Sequence, residues 1–374
     1  MENNLFAGLV GNNISVADKF WKWGRIEKGE KLIDPLLFWG CSTLGYDRND
    51  IIDYVFENIK KYKNEGASQP SLKSDKIYLN DFSFKLAEKL YNMSDGFKTI
   101  FTLSGSSANE GAIKLSSAYH YLKKNFKKNK ILHIKDSYHG STFLLQNITG
   151  TLFDENVLYT QKPYDGVLSV DRDFKIEDLN FDDVMCIIVE PCSYSGEMTP
   201  YTKEFWEKLK LIRSQYDVLI VIDDIFTGGG KTGDYFGWKN LPIKPSIFTM
   251  SKAITNGHFP ISFCCYDKKI DQIIPDDFDW QFGFTHSFTV PGQLAALKYI
   301  SILEDEKILE NHNFIKNRAI EIFKKKSKKI INSFGLIFNI DYTRPRASNN
   351  PLQHLIQIPI TADDEYFSLL EKQI

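Results

Sequence analysis

The chain has 374 residues, 43% hydrophobic and 14% aromatic, which is enough for a large globular core and more in keeping with two lobes than one. A net charge of −2 and a pI near 6.4 give no general attraction to nucleic acid or acidic membranes, and the basic runs Lys123-Lys124-Asn125-Phe126-Lys127-Lys128 and Lys324-Lys325-Lys326-Ser327-Lys328-Lys329 read as solvated helix ends. Five cysteines (Cys41, Cys186, Cys192, Cys264, Cys265) without a Cys-x-x-Cys argue against a disulfide framework, no apolar run approaches the roughly 18 residues that cross a bilayer, and the seven histidines show no metal-ligand spacing, so a soluble, unprocessed, cytoplasmic protein without a metal is expected.

In chain order, residues 1–45 carry aromatic patches, Phe20-Trp21-Lys22-Trp23 and Phe38-Trp39, with Gly and Pro between them. They read as an N-terminal arm or small-lobe segment, whose aromatics either wall a pocket or anchor the arm. From 46 onward, short apolar runs recur with amphipathic stretches between them: Thr99–Leu103, Ile131–Ile134, Val184–Val189, Val218–Ile222, Ile247–Met250 and Ile261–Cys265. That alternation predicts an α/β domain on a largely parallel sheet, spanning 46–304. Ala108, Ala112, Leu115, Tyr119 and Leu122 step by four and three, which predicts a helix beginning near Ser106. Phe205, Leu209 and Ile212 do the same after Pro200, and Gln293–Leu303 predicts a helix leaving the domain. The segment 305–374 alternates charged helical stretches with Leu336-Ile337-Phe338-Asn339-Ile340 and reads as a second, C-terminal lobe.

Lys252 follows the apolar strand Ile247–Met250, where a lysine can form a Schiff base. Upstream, Val218-Leu219-Ile220-Val221-Ile222-Asp223-Asp224 is a strand ending in acid, and the carboxyl ends of strands are where open α/β sheets place ligands. Earlier still, Ser104-Gly105-Ser106-Ser107 opens a helix whose free N–H groups and dipole suit a phosphate, although the same residues also make an ordinary cap. Tyr138-His139-Gly140 could lay an aromatic face on a ring, Glu190 ends a further strand, and Phe284-Thr285-His286-Ser287-Phe288-Thr289 adds hydroxyls. A Schiff-base-forming lysine, a carboxylate for a ring nitrogen and a phosphate cradle together suggest pyridoxal 5'-phosphate.

The ordered motifs Ser-Gly-Ser-Ser-Ala-Asn-Glu, Tyr-His-Gly, Glu-Pro, Ile-Asp-Asp, Gly-Gly-Gly-Lys-Thr-Gly, Ser-Lys-Ala and Phe-Thr-His-Ser-Phe-Thr, between about 30 and 300, resemble the class III pyridoxal-phosphate-dependent aminotransferases. The resemblance implies fold type I, with a mostly parallel seven-stranded sheet and a small α+β lobe from both termini, and a homodimer with shared sites. It also implies an amino donor and a carbonyl acceptor, both small molecules. Carried over by motif, Lys252 becomes the Schiff-base lysine and general acid/base, and Asp223 the partner of the pyridine nitrogen. Gly105 and Ser106 bind phosphate, Tyr138 stacks on the ring, His139 lies beside it, and Ile225 packs the other face. Glu190 lines the substrate side, and Thr289 reaches the phosphate held by the neighbouring subunit.

Some positions depart from the family pattern. Ser107 stands where an acid is usual, Phe226 replaces a glutamine, and Lys231 replaces the arginine of the Gly-x-Gly-Arg-Thr-Gly turn. The later Arg-x-x-Pro-Pro segment has no counterpart, and Arg344 and Arg346 lie too early to fill it. A shortened C-terminal lobe is therefore expected, either from truncation or because another group contacts the substrate, and donors without a carboxylate gain ground. Three alternatives stay open: a mutase, epimerase or decarboxylase on the same fold; a degenerate homologue that keeps the cofactor for a structural or partner-binding role; and a nucleotide switch suggested by Gly228-Gly229-Gly230-Lys231-Thr232, which lacks the earlier P-loop glycine.

Overall fold

The computed structural model describes residues 19–62, 79–150, 164–193, 198–275, 278, 281–342 and 354–374. It starts with a small antiparallel meander, β1 (Lys19–Trp21), β2 (Gly24–Glu27) and β3 (Glu30–Ile33). A single turn follows, α1 (Leu37–Gly40), in which Leu37, Phe38 and Trp39 all have positive φ. Left-handed backbone costs a non-glycine residue roughly 1–2 kcal/mol, so three in succession persist only where the surroundings hold them. Asp34 does part of that, its two carboxylate oxygens accepting the backbone N–H groups of Leu36 and Phe38 at 2.8 Å each.

Two helices, α2 (Asn49–Tyr62) and α3 (Asp81–Met93), lead into the central sheet. The sheet is built from β4 (Lys98–Thr102), β5 (Lys130–Ile134), β6 (Val167–Val170), β7 (Val184–Val189), β10 (Leu219–Asp223), β11 (Ile247–Met250) and β12 (Ser262–Tyr266). Its seven strands run in the order β4-β12-β11-β10-β7-β5-β6, with β12 antiparallel to both neighbours. A two-strand ribbon, β8 (Cys192–Ser193) with β9 (Thr199–Pro200), sits outside it.

The central strands are buried on both faces, which is why they read as continuous apolar runs rather than alternating ones. Their residues still divide by the two-residue period of a strand. Ile187, Val189, Ile220 and Ile222 join the larger core cluster with Phe205, Leu209 and Ile212 of α5 (Lys203–Tyr216). Cys186, Ile188, Leu219 and Val221 face the other way, onto Ala112, Leu115 and Tyr119 of α4 (Gly105–Leu122). Each such aliphatic side chain contributes about 1.5–3 kcal/mol by leaving water.

After the short α6 (Lys268–Asp271), α7 (Val290–Asp305) and α8 (His312–Lys325) lead to an antiparallel sheet, β13 (Ile330–Phe334), β14 (Ile337–Ile340) and β15 (Leu355–Gln357), and to α9 (Asp364–Gln373). The two ends of the described chain meet. Lys22 Nζ lies 2.7 Å from Asp363, the Trp23 ring meets Tyr366 edge-on at 5.7 Å, and Gln357 Nε2 donates to the Leu36 carbonyl at 2.9 Å.

The predicted α/β core is present, with strand ends shifted by at most one residue and the helices near Ser106, after Pro200 and around 293–303 in place. The edge strand β6 and the helices α2 and α3 were not marked by the apolar pattern. In β6 only Val170 is buried, and in α2 the buried Ile51 and Val55 are followed by an exposed Phe56 that breaks the stripe.

Candidate active site

The site lies at the carboxyl ends of β4, β5, β7, β10 and β11, where a parallel sheet leaves a crevice. A cleft of about 190 Å³ is lined by Ser104, Gly105, Ser106, Tyr138, His139, Gly140, Glu190, Asp223, Ile225, Phe226, Ser251 and Lys252.

At one end, β4 turns into α4 through Ser104. The Ser104 hydroxyl accepts from the Ser107 N–H at 3.1 Å, and Ser107 Oγ accepts from the Ser104 N–H at 2.9 Å. This reciprocal capping box accounts for Ser107, where an acid was expected: a hydroxyl answers the cap without adding charge. Both hydroxyls are occupied there, while the Gly105 and Ser106 end of the helix faces the cleft. The backbone comes close at two glycines. A Cβ on Gly105 would stand 2.9 Å from Ile225 Cδ1, and one on Gly140, whose φ is +127°, would stand 2.4 Å from Ser106 Oγ.

At the floor, the buried Asp223 ends β10. Its Oδ2 accepts from Asn109 Nδ2 at 2.7 Å and from His139 Nδ1 at 2.8 Å. Asn109 is itself held, its Oδ1 accepting from the Thr249 hydroxyl at 2.7 Å and its Nδ2 also donating to the His139 carbonyl at 2.8 Å. Asp223 Oδ1 accepts only the Ile225 N–H at 3.2 Å among its described contacts, so one oxygen is saturated and the other has capacity left. The bond at Nδ1 fixes the His139 tautomer and leaves Nε2 buried without a described partner.

Lys252 follows β11 with φ +56°, in a short 3-10 turn. Burial pushes its amine below the usual lysine range, and Cys41, Asp223 and Glu190 pull it back up. Its Nζ lies 4.7 Å from the centre of the Phe226 ring. Glu190 is buried and accepts the Tyr138 N–H at 3.2 Å.

The structure therefore gathers Gly105, Ser106, Tyr138, His139, Glu190, Asp223, Ile225 and Lys252 around one cleft. Thr289 is not among its lining residues; it precedes α7 and donates to the His286 carbonyl at 3.0 Å. Arg344 and Arg346 lie outside the described residues. Asn109 and Thr249 escaped sequence reasoning as site residues, because a buried asparagine on a helix and a threonine inside a strand give no signal until the fold brings them to Asp223. Lys231 is in the interior rather than in a phosphate loop, its Nζ donating to the Gly40 carbonyl at 3.1 Å, which removes the nucleotide-switch alternative.

Comparison with known proteins agrees with this geometry. The family model described as aminotransferase class-III matches residues 23–360, and the chain belongs to that family. The acetylornithine/succinyldiaminopimelate aminotransferase of Buchnera aphidicola is 31% identical, over 70% of this chain and 60% of its own length. The taurine–pyruvate aminotransferase of Bilophila wadsworthia is 28% identical over 84% of this chain and 74% of its own. Among solved structures, an (S)-enantioselective omega-transaminase from Thermomicrobium roseum superposes with a TM-score of 0.79 at 20% identity, covering 94% of this chain and 88% of that one. A Bacillus anthracis aminotransferase gives 0.78 at 20%, covering 97% and 93%. The fold is that of fold type I transferases, and the protein is a pyridoxal-phosphate-dependent enzyme that moves amino groups between small molecules. The cleft fits that cofactor: an N-terminal helix end with a bare glycine for the phosphate, a carboxylate oxygen with spare capacity for the ring nitrogen, and a buried amine opposite.

Proposed function

We propose that Lys252 carries the amino transfer and that Asp223, Gly105, Ser106, Tyr138, His139, Ile225 and Glu190 hold the cofactor and substrate around it. The observation that supports this most is the placement of a buried, depressed amine and a network-held carboxylate on one cleft at the ends of adjacent strands. Pyridoxal 5'-phosphate supplies an aldehyde that condenses with amines and an electron sink for the bond broken at the substrate carbon.

The chain's own residues do the rest. The Gly105 and Ser106 N–H groups would donate to the phosphate at the positive end of α4. Asp223 Oδ1 would accept from the ring nitrogen, and Asn109 and His139 keep the carboxylate oriented through Oδ2. Ile225 and Tyr138 would cover the two faces of the ring. Burial disfavours the charged form of Lys252, which suits its amine to take a proton from the substrate carbon and return it elsewhere. Glu190 borders the substrate side.

The same reading makes the enzyme a homodimer in which Thr289 serves the neighbour's phosphate. Exposed aromatics in the site-bearing segments, Phe143 at 78% and Phe284 at 40%, support a covered surface there. It divides the chain into an arm at 1–45, a cofactor domain at 46–304 and a small lobe from 305–374, and it places the protein in a reducing cytoplasm, supported by five unpaired cysteines. No helix among the described residues is long and apolar enough to cross a membrane.

The test is absorbance of the cofactor-loaded protein before and after adding α-amino acids, ω-amino acids and diamines. Bleaching of the visible band by one donor class supports the reading and gives the donor. A band that no amine alters contradicts it and favours the degenerate homologue.

A further inference from the structure

Lys231 has no place in the chemistry above, yet it is one of the largest wholly buried side chains, 1% exposed. Its described hydrogen bond crosses 191 positions of sequence to the Gly40 carbonyl. Gly40 closes the left-handed turn α1 and lies hard against Phe226, so that a Cβ there would stand 2.9 Å from Phe226 Cε2. The Phe226 ring lines the cleft and lies close to two amines, Lys252 Nζ at 4.7 Å and Lys231 Nζ at 5.8 Å from its centre. Asp34 and Gln357 hold the start of the turn. Lys231 ties its end to the segment that carries Asp223 and Phe226.

A lysine in this position is a poor choice for stability alone. Burial, followed by the repulsion of Lys252, pushes its amine down to about 7, with Cys41 and Asp224 opposing. An apolar side chain of similar size would avoid that desolvation.

We propose that Lys231 is a positioning residue for Lys252: by donating to the Gly40 carbonyl it pins the Leu37–Gly40 turn onto Phe226 and so fixes the ring beside which the Lys252 amine sits. This rests on the assignment of Lys252 as the lysine that carries the cofactor.

The test compares Lys231→Met, Lys231→Arg and Gly40→Ala in the cofactor-loaded protein, reading thermal midpoint and the pH midpoint of the visible absorbance change. Lys231→Met is expected to keep or raise the thermal midpoint at pH 7 while moving the absorbance midpoint upward by about half a pH unit or more. The groups that face Lys252 otherwise, Cys41, Asp223 and Glu190, are untouched. Lys231→Arg, which keeps a donor and a charge, is expected to restore the wild-type absorbance midpoint. Lys231→Met and Gly40→Ala together are expected to shift it by less than the sum of the two, because both loosen one contact. A Lys231→Met protein with a lowered thermal midpoint and an unmoved absorbance midpoint would overturn the proposal, leaving a structural lysine. Wild-type protein with no borohydride-reducible visible band would remove the Lys252 assignment itself, which separates the two failures.

Discussion

The two sides of the cleft are built differently. The side proposed to hold the phosphate and ring stands on regular elements: the capped start of α4, the end of β10, and an Asp223 carboxylate fixed through Thr249, Asn109 and His139. The opposite side stands on a left-handed turn, an aromatic ring and a buried amine, joined across long sequence separations. A site can thus be rigid on both sides, with residues on regular elements locked to one another on one and an irregular turn held by distant contacts on the other. The family departures Phe226 and Lys231 both fall on the second side.

Lys252→Ala, where the two sides meet, has the largest expected effect: turnover falls about a thousandfold or more, measured in the amine half-reaction. On the ring side, Asp223→Ala should lower the same rate about a hundredfold or more and weaken cofactor retention on dialysis, since an unpaired ring nitrogen loses its proton. If Asp223→Ala stays within a few fold of wild type, the ring side has been misread. On the opposite side, Gly40→Ala forces a side chain into φ +86° and onto Phe226, so chemical denaturation should show a loss of about 2 kcal/mol.

The pH dependence of stability sharpens the contrast. Lys231 has a folded pKa of about 7 against 10.5 for an ordinary lysine. Between those values the unfolded chain binds more protons, so stability rises with pH across that window and its loss on acidification levels off below 7. Denaturation curves of wild type against Lys231→Met should therefore diverge between pH 10 and 7, by roughly 3–4 kcal/mol, with the variant flatter. The smallest effect is expected at Asn109→Ala, which leaves Asp223 with one donor fewer and should slow the half-reaction about tenfold.

The same contrast explains what the sequence could and could not disclose. Lys252, Asp223 and the Gly105 turn follow apolar strands or open a periodic helix, so local pattern alone put them at strand ends. The cofactor followed from their chemistry. Asn109 looked like one more residue of the α4 start, and nothing near Lys231 in sequence pointed to Gly40. Leu37, Phe38 and Trp39 carry no signal for left-handed backbone, because their conformation is imposed by the neighbouring Asp34 and the distant Gln357 rather than by their own preferences. The capping use of Ser107 was hidden for a smaller reason: the family's acid at that position drew attention to charge, whereas the cap needs only an oxygen.

The most direct measurement is borohydride reduction of the cofactor-loaded protein followed by peptide mass mapping. The account predicts one stably labelled peptide, carrying the reduced cofactor on Lys252, and no label in Lys252→Ala. Label on another lysine, Lys231 included, or none in the wild-type protein, would contradict it.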